Sequence, residues 1–178
     1  MKLLLIQPSV GKIHGEKYVK SWTMEPLALS TLAGMTPDDI DIELIDERID
    51  ELPEIYEADL VGITIETYTA KRAYTIAKKI RKQGIKVVMG GIHASLMPDE
   101  VVNHCDAMLV GGAEGGIWNQ VLSDFKNNKL KRKYDANSYF ESAAPKLGHG
   151  SSHIDDCKSN FNAHIMLSNC DEVLHPFR

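Results

Sequence analysis

A chain of 178 residues, 43% of them hydrophobic, is long enough for one domain with a real core and too apolar to be disordered throughout. Its net charge of −5, with dispersed Lys and Arg, argues against a nucleic-acid surface, and no run reaches the roughly 18 apolar residues of a membrane span. Cys105, Cys157 and Cys170 are odd in number and lack paired spacing, which fits a reducing cytoplasm better than a disulfide framework.

The N-terminal apolar run is too short for a signal-peptide core, so Lys2–Gln7 is expected to be a strand covered on both faces. A long connection over residues 8–23 leads to a helix opening at Glu25-Pro26, with proline preset for the first turn and Leu29, Leu32 and Ala33 as its buried stripe. Asp41–Asp46 reads as a second strand and residues 60–65 as a third. Residues 69–83 carry the clearest helical period, with Ala70, Ala73, Tyr74, Ala77 and Ile80 on one face, Lys78, Lys79, Arg81 and Lys82 at the negative end, and Gly84 as terminator. Strand four is residues 85–89, a short helix starts at Pro98-Asp99-Glu100, and strand five is Ala107–Val110. Residues 114–125 form a last helix, with Ile117, Val121, Leu122 and Phe125 inward, and residues 130–134 offer an edge strand.

Strands alternating with helices predict an α/β fold, a doubly wound, five-stranded parallel sheet of Rossmann-like or flavodoxin-like type, with strand order 2-1-3-4-5. Residues 1–136 make up this domain. Residues 137–178, rich in Ser, Asn, Asp and His, read as a poorly ordered tail or the remnant of a second domain.

Doubly wound sheets bind ligands beyond the carboxyl ends of their strands, and three of those ends carry unusual residues. After strand three come Thr64-Ile65-Glu66-Thr67-Tyr68-Thr69, whose hydroxyls either meet a ligand or cap the next helix. After strand four come Gly90-Gly91-Ile92-His93-Ala94-Ser95, and after strand five Gly111-Gly112-Ala113-Glu114-Gly115-Gly116. Two adjacent ends stripped of side chains leave a slot for a flat or extended ligand, against the plainer reading of two turns. His93, without a second ligand at metal spacing, reads as a hydrogen-bonding loop residue. Strand one ends in Gln7-Pro8-Ser9, with neither a Gly-x-Gly-x-x-Gly nor a Gly-Lys-Ser/Thr loop, which disfavours dinucleotide and nucleoside-triphosphate sites.

The segments Leu4-Leu5-Ile6-Gln7-Pro8, Trp22-Thr23-Met24-Glu25-Pro26-Leu27, Glu43-Leu44-Ile45-Asp46-Glu47, Asp59-Leu60-Val61-Gly62-Ile63-Thr64, Gly90-Gly91-Ile92-His93-Ala94-Ser95, Gly111-Gly112-Ala113-Glu114 and Leu130-Lys131-Arg132-Lys133-Tyr134 follow one another in an order that resembles a known family. As a set they resemble the N-terminal cobalamin-binding domain of radical S-adenosylmethionine enzymes. The resemblance implies a corrinoid across the strand ends with its nucleotide tail in the slot. It implies Thr64 near the tail, Gly90, Gly91, Gly111 and Gly112 packed against it, and His93 and Ser95 beside the corrin. Gln7, Pro8, Ser9, Glu66, Thr67 and Glu114 complete the expected cofactor-binding set.

Two features depart from the wider family. The Asp-x-His-x-x-Gly motif that supplies a lower cobalt ligand is absent, His14 being preceded by Lys12-Ile13 and followed by Gly15. The Cys-x-x-x-Cys-x-x-Cys motif that holds a radical-generating iron–sulfur cluster is absent too. The expectation is therefore a cobalamin-binding module related to radical S-adenosylmethionine methyltransferases, not catalytic alone and partnered with a separate radical domain. A flavodoxin-like regulatory or interaction domain and a non-functional fragment are the alternatives.

Overall fold

The computed structural model describes residues 1–10, 26–114 and 116–136. Residues 11–25, with most of the long connection, His14 and Glu25, as well as Gly115 and everything from residue 137 onward, Cys157 and Cys170 included, lie outside the described residues.

Within them, six parallel strands form one sheet in the order β2-β1-β3-β4-β5-β6. They are β1 (Lys2–Gln7), β2 (Asp41–Asp46), β3 (Leu60–Thr64), β4 (Lys86–Gly90), β5 (Ala107–Val110) and β6 (Lys133–Asp135). The order expected for the first five holds, but five strands is one too few. The edge strand starts at Lys133 rather than at residue 130 and pairs Val110 with Asp135.

β1, β3 and β4 are continuous apolar runs because both faces of the sheet are covered. Alternation sends Leu4, Ile6, Val61, Ile63, Val87 and Met89 into one core and Leu3, Leu5, Leu60, Val88 and Leu109 into the other. The first core is closed by α2 (Ala70–Lys82), α3 (Ile92–Leu96) and α4 (Pro98–Val101); the second by α1 (Leu27–Met35) and α5 (Ile117–Lys126).

α2 buries Ala70, Ala73, Ile76, Ala77 and Ile80. The two isoleucines contribute most, at about 1.5–3 kcal/mol apiece by area removed from water, whereas Tyr74, expected on this face, is only half-buried. Gly84 takes the left-handed φ of +85° expected of it. Thr69 occupies the N-cap position without capping. Its hydroxyl instead donates to the Glu66 carbonyl and accepts from the Glu66 N–H, both at 3.1 Å, which closes the turn on itself.

α1 begins one residue later than expected, with Pro26 just outside it, and buries Leu29 fully while Leu32 and Ala33 stay partly open. α5 starts at Ile117 instead of residue 114 and adds Trp118 to its buried face. α3 has no counterpart in the sequence reading: five residues, directly after Gly91, are too few to show a period.

Candidate functional site

Among the described residues, only α1 and α5 cover their face of the sheet, and between them a cleft of about 210 Å³ opens at the carboxyl ends of β3, β4 and β5. Ala28, Thr31, Leu32 and Met35 of α1 form one wall, and Trp118 of α5 forms the other. The floor is bare strand end: Gly62, Thr64, Val88, Gly90, Gly91, Leu109, Gly111 and Gly112, with Ala113 and Glu114 at the side. One bond fastens the two walls together, from the Trp118 indole N–H to the Thr36 hydroxyl just past α1.

The glycines serve the cleft in different ways. A Cβ on Gly90 would meet nothing nearer than Leu109 at 3.7 Å, so the space above it is kept free rather than filled. Gly91 is required by its backbone: at φ +104° a Cβ would stand 2.7 Å from the Ile65 carbonyl oxygen. In the middle of β3, Gly62 lets the Trp118 indole and Leu5 close over the strand, since a Cβ there would lie 2.9 Å from Leu5 Cδ2. The two readings of the glycine pairs thus coexist, one glycine shaping a turn and its neighbour leaving room.

Six of the expected residues meet in this cleft: Thr64, Gly90, Gly91, Gly111, Gly112 and Glu114. The absence of a side chain on Gly112 makes way for the Glu114 carboxylate, which a Cβ would strike. Among the described residues, neither that carboxylate nor the Thr64 hydroxyl has a hydrogen-bond partner. An apolar slot with an acceptor and a hydroxyl left over is a common form of a small-molecule site.

The other expected residues do not line it. His93 and Ser95 ride on α3, behind the sheet. His93 is on a helix and 5% exposed rather than a loop residue. Its Nδ1 lies 3.3 Å from Thr67 Oγ1, and its Nε2 is buried without a hydrogen-bond partner, 3.7 Å from Glu100 Oε1. That same Glu100 oxygen accepts the Tyr74 hydroxyl at 3.0 Å. Burial first, then this hydrogen bond, holds the Tyr74 phenol well above its usual range. Ser95 reaches Gly91 and Gly111 from behind, through their backbones.

Gln7, Pro8 and Ser9 sit buried at the exit of β1, outside the cleft. Ser9 donates its N–H at 3.0 Å and its hydroxyl at 3.2 Å to Glu47 Oε2, and Arg72 of α2 pairs with the same carboxylate. Glu47, only 2% exposed, is the hub of that corner. Glu66 and Thr67 belong to the turn after β3, where Glu66 draws a hydrogen bond from Tyr68 and raises its phenol pKa.

The walls went unnoticed in the sequence because Leu32, Met35 and Trp118 look like core residues of amphipathic helices. Gly62 was the available signal, a glycine inside an apolar strand marking close approach of another group. No cluster of three or more potential metal ligands occurs among the described residues, and no histidine lines the cleft. A cofactor that brings its own metal, and needs only a slot and a few hydrogen bonds from the protein, fits this donor set.

A family model described as B12 binding domain matches residues 23–117, more than half of the chain. Bacteriochlorophyllide d C-8(2)-methyltransferase from Chlorobaculum tepidum is 42% identical over 114 residues, 64% of this chain and 25% of that protein. Bacteriochlorophyllide d C-12(1)-methyltransferase from the same organism is 33% identical over 140 residues, 77% of this chain and 30% of the relative. An uncharacterized methyltransferase from Pyrococcus horikoshii is 33% identical over 144 residues, covering 74% and 31% respectively. The chain thus spans about a quarter to a third of the length of the curated relatives it matches.

Proposed function

Because this chain belongs to the B12 binding domain family, we propose that it holds a cobalamin, the nucleotide tail lying in the cleft between α1 and α5 and the corrin across the ends of the strands. The carrying observation is the space above Gly90, walled by Leu32, Met35, Leu109 and Trp118 and edged by the Thr64 hydroxyl and the Glu114 carboxylate, neither of which has a hydrogen-bond partner among the described residues. On this reading Gly90 and Gly112 keep side chains out of the tail's way. Thr64 and Glu114 orient it by hydrogen bonds, and the walls exclude water. Without an Asp-x-His-x-x-Gly motif, the 178 residues offer cobalt no lower ligand of that kind.

When bound, the corrinoid supplies cobalt chemistry suited to one-carbon transfer. The matching methyltransferases are longer proteins, and these 178 residues contain no Cys-x-x-x-Cys-x-x-Cys. Both facts support a division of labour. The domain binds and presents the corrinoid, a radical S-adenosylmethionine module outside these 178 residues performs the methyl transfer, and the domain alone is not catalytic. The unpaired cysteine pattern supports a reducing, cytoplasmic setting, and no helix among the described residues is long and apolar enough to cross a membrane.

Gel filtration of the full chain after incubation with hydroxocobalamin tests the reading. Corrin absorbance eluting with the protein is expected; protein emerging colourless overturns it and leaves a flavodoxin-like interaction domain as the better account.

A further inference from the structure

We propose that Ser95 is a positioning residue that sets the spacing of the two glycine bends at the cleft floor, and through it the chain's preference for corrinoids bearing a nucleotide tail. The proposal rests on the cofactor reading above. The paired ladder between β4 and β5 stops at Met89 and Met108, short of both bends. On the other side of β4 the backbone itself ties the strand exits together. Ile65 N–H donates to the Gly90 carbonyl at 2.8 Å, and His93 N–H to the Ile65 carbonyl at 3.1 Å.

Between the exits of β4 and β5, one side chain among the described residues makes the link. Ser95 Oγ donates to the Gly91 carbonyl at 3.2 Å and accepts the Gly111 N–H at 2.9 Å. Gly91 and Gly111 both line the cleft and Ser95 does not, so the hydroxyl acts through them. Bonds between backbones do not depend on which side chain is present, proline aside, whereas this one depends on a single hydroxyl.

If that hydroxyl is lost, the Gly111 N–H loses its acceptor and the two bends are free to drift apart. A slot of variable width must be ordered when the tail enters, which weakens binding. A corrinoid without a tail never enters the slot and is indifferent to its width.

The test titrates the full chain, Ser95→Ala and Ser95→Thr with hydroxocobalamin and with cobinamide, its tail-less counterpart, following corrin absorbance. Exchange of the Gly111 amide hydrogen is measured on the free proteins by NMR. Ser95→Ala is expected to weaken cobalamin binding about five- to tenfold, the size of one lost hydrogen bond, while cobinamide binding stays as it was. Gly111 exchange accelerates, and Ser95→Thr, which keeps the hydroxyl, restores both. Should alanine prevent folding, Ser95→Cys, a weak donor of similar size, is expected to shift the same two readouts in the same direction.

Equal weakening of both corrinoids, unchanged cobalamin affinity, or unchanged Gly111 exchange overturns the proposal. A wild-type chain that binds neither corrinoid overturns the cofactor reading, and Ser95's part in selection with it. Gly111 exchange then decides separately whether the hydroxyl holds the two bends.

Discussion

Trp118 donates its indole N–H to the Thr36 hydroxyl at 2.8 Å, and Thr36 passes the contact on to the Leu32 carbonyl at 2.7 Å. Both residues are buried. The bond spans the two helices that wall the cleft, so it ties the stability of the fold to the shape of the site.

Thr36→Val keeps the side-chain shape but leaves the indole N–H buried without its acceptor. Such an orphan costs about 1–3 kcal/mol. The urea midpoint of the variant is therefore expected to fall with an unchanged slope, and corrinoid affinity to fall with it. A Thr36→Val protein as stable as the wild type contradicts the assignment.

Gly91 makes a different prediction. Its φ of +104° is disfavoured for any residue with a Cβ, and the Ile65 carbonyl stands where that atom would go. The backbone conformation alone costs about 1–3 kcal/mol for Gly91→Ala, and the overlap adds to it. Thermal unfolding is expected to show a clear loss of stability; a change too small to measure contradicts the described turn.

Acid stability follows from Asp46. Burial works against its ionisation, but hydrogen bonds from the Arg48 side chain, at 2.8 and 2.6 Å, and from the Arg48 backbone outweigh it, so the carboxyl titrates below its usual range. A lowered folded pKa gives stability that is present above the unfolded value of about 3.9 and lost as pH falls through the folded one. Urea unfolding between pH 3 and 7 is expected to show this loss in the wild type and a shallower acid slope in Asp46→Asn. Parallel profiles contradict it.

The sheet was legible in the sequence because two-sided burial writes itself as unbroken apolar runs, as in Leu3-Leu4-Leu5-Ile6. The floor of the cleft was legible for a related reason: a glycine at a strand end is visible without knowing the fold. What could not be read was which side of the sheet each strand end serves. Thr64 and Thr67 are three residues apart, yet Thr64 faces the cleft while Thr67 meets His93 on the far side. His93 belongs behind the sheet because its own N–H turns back to Ile65, a choice made by α3, which is too short to announce itself. The walls were hidden for the opposite reason, since periodicity marks Leu32 and Trp118 as apolar faces without distinguishing core from crevice.

Gly90 offers the most direct test of the central claim, that the space over the strand ends is where the corrinoid's tail lies. A Cβ there would make only ordinary contact with Leu109, at 3.7 Å from its Cβ and 3.8 Å from its carbonyl oxygen, so Gly90→Leu is expected to fold with near wild-type stability. Titration with hydroxocobalamin, followed by corrin absorbance, is predicted to show saturable binding to the wild type and its loss in Gly90→Leu. A Gly90→Leu protein that binds hydroxocobalamin as tightly as the wild type contradicts the account.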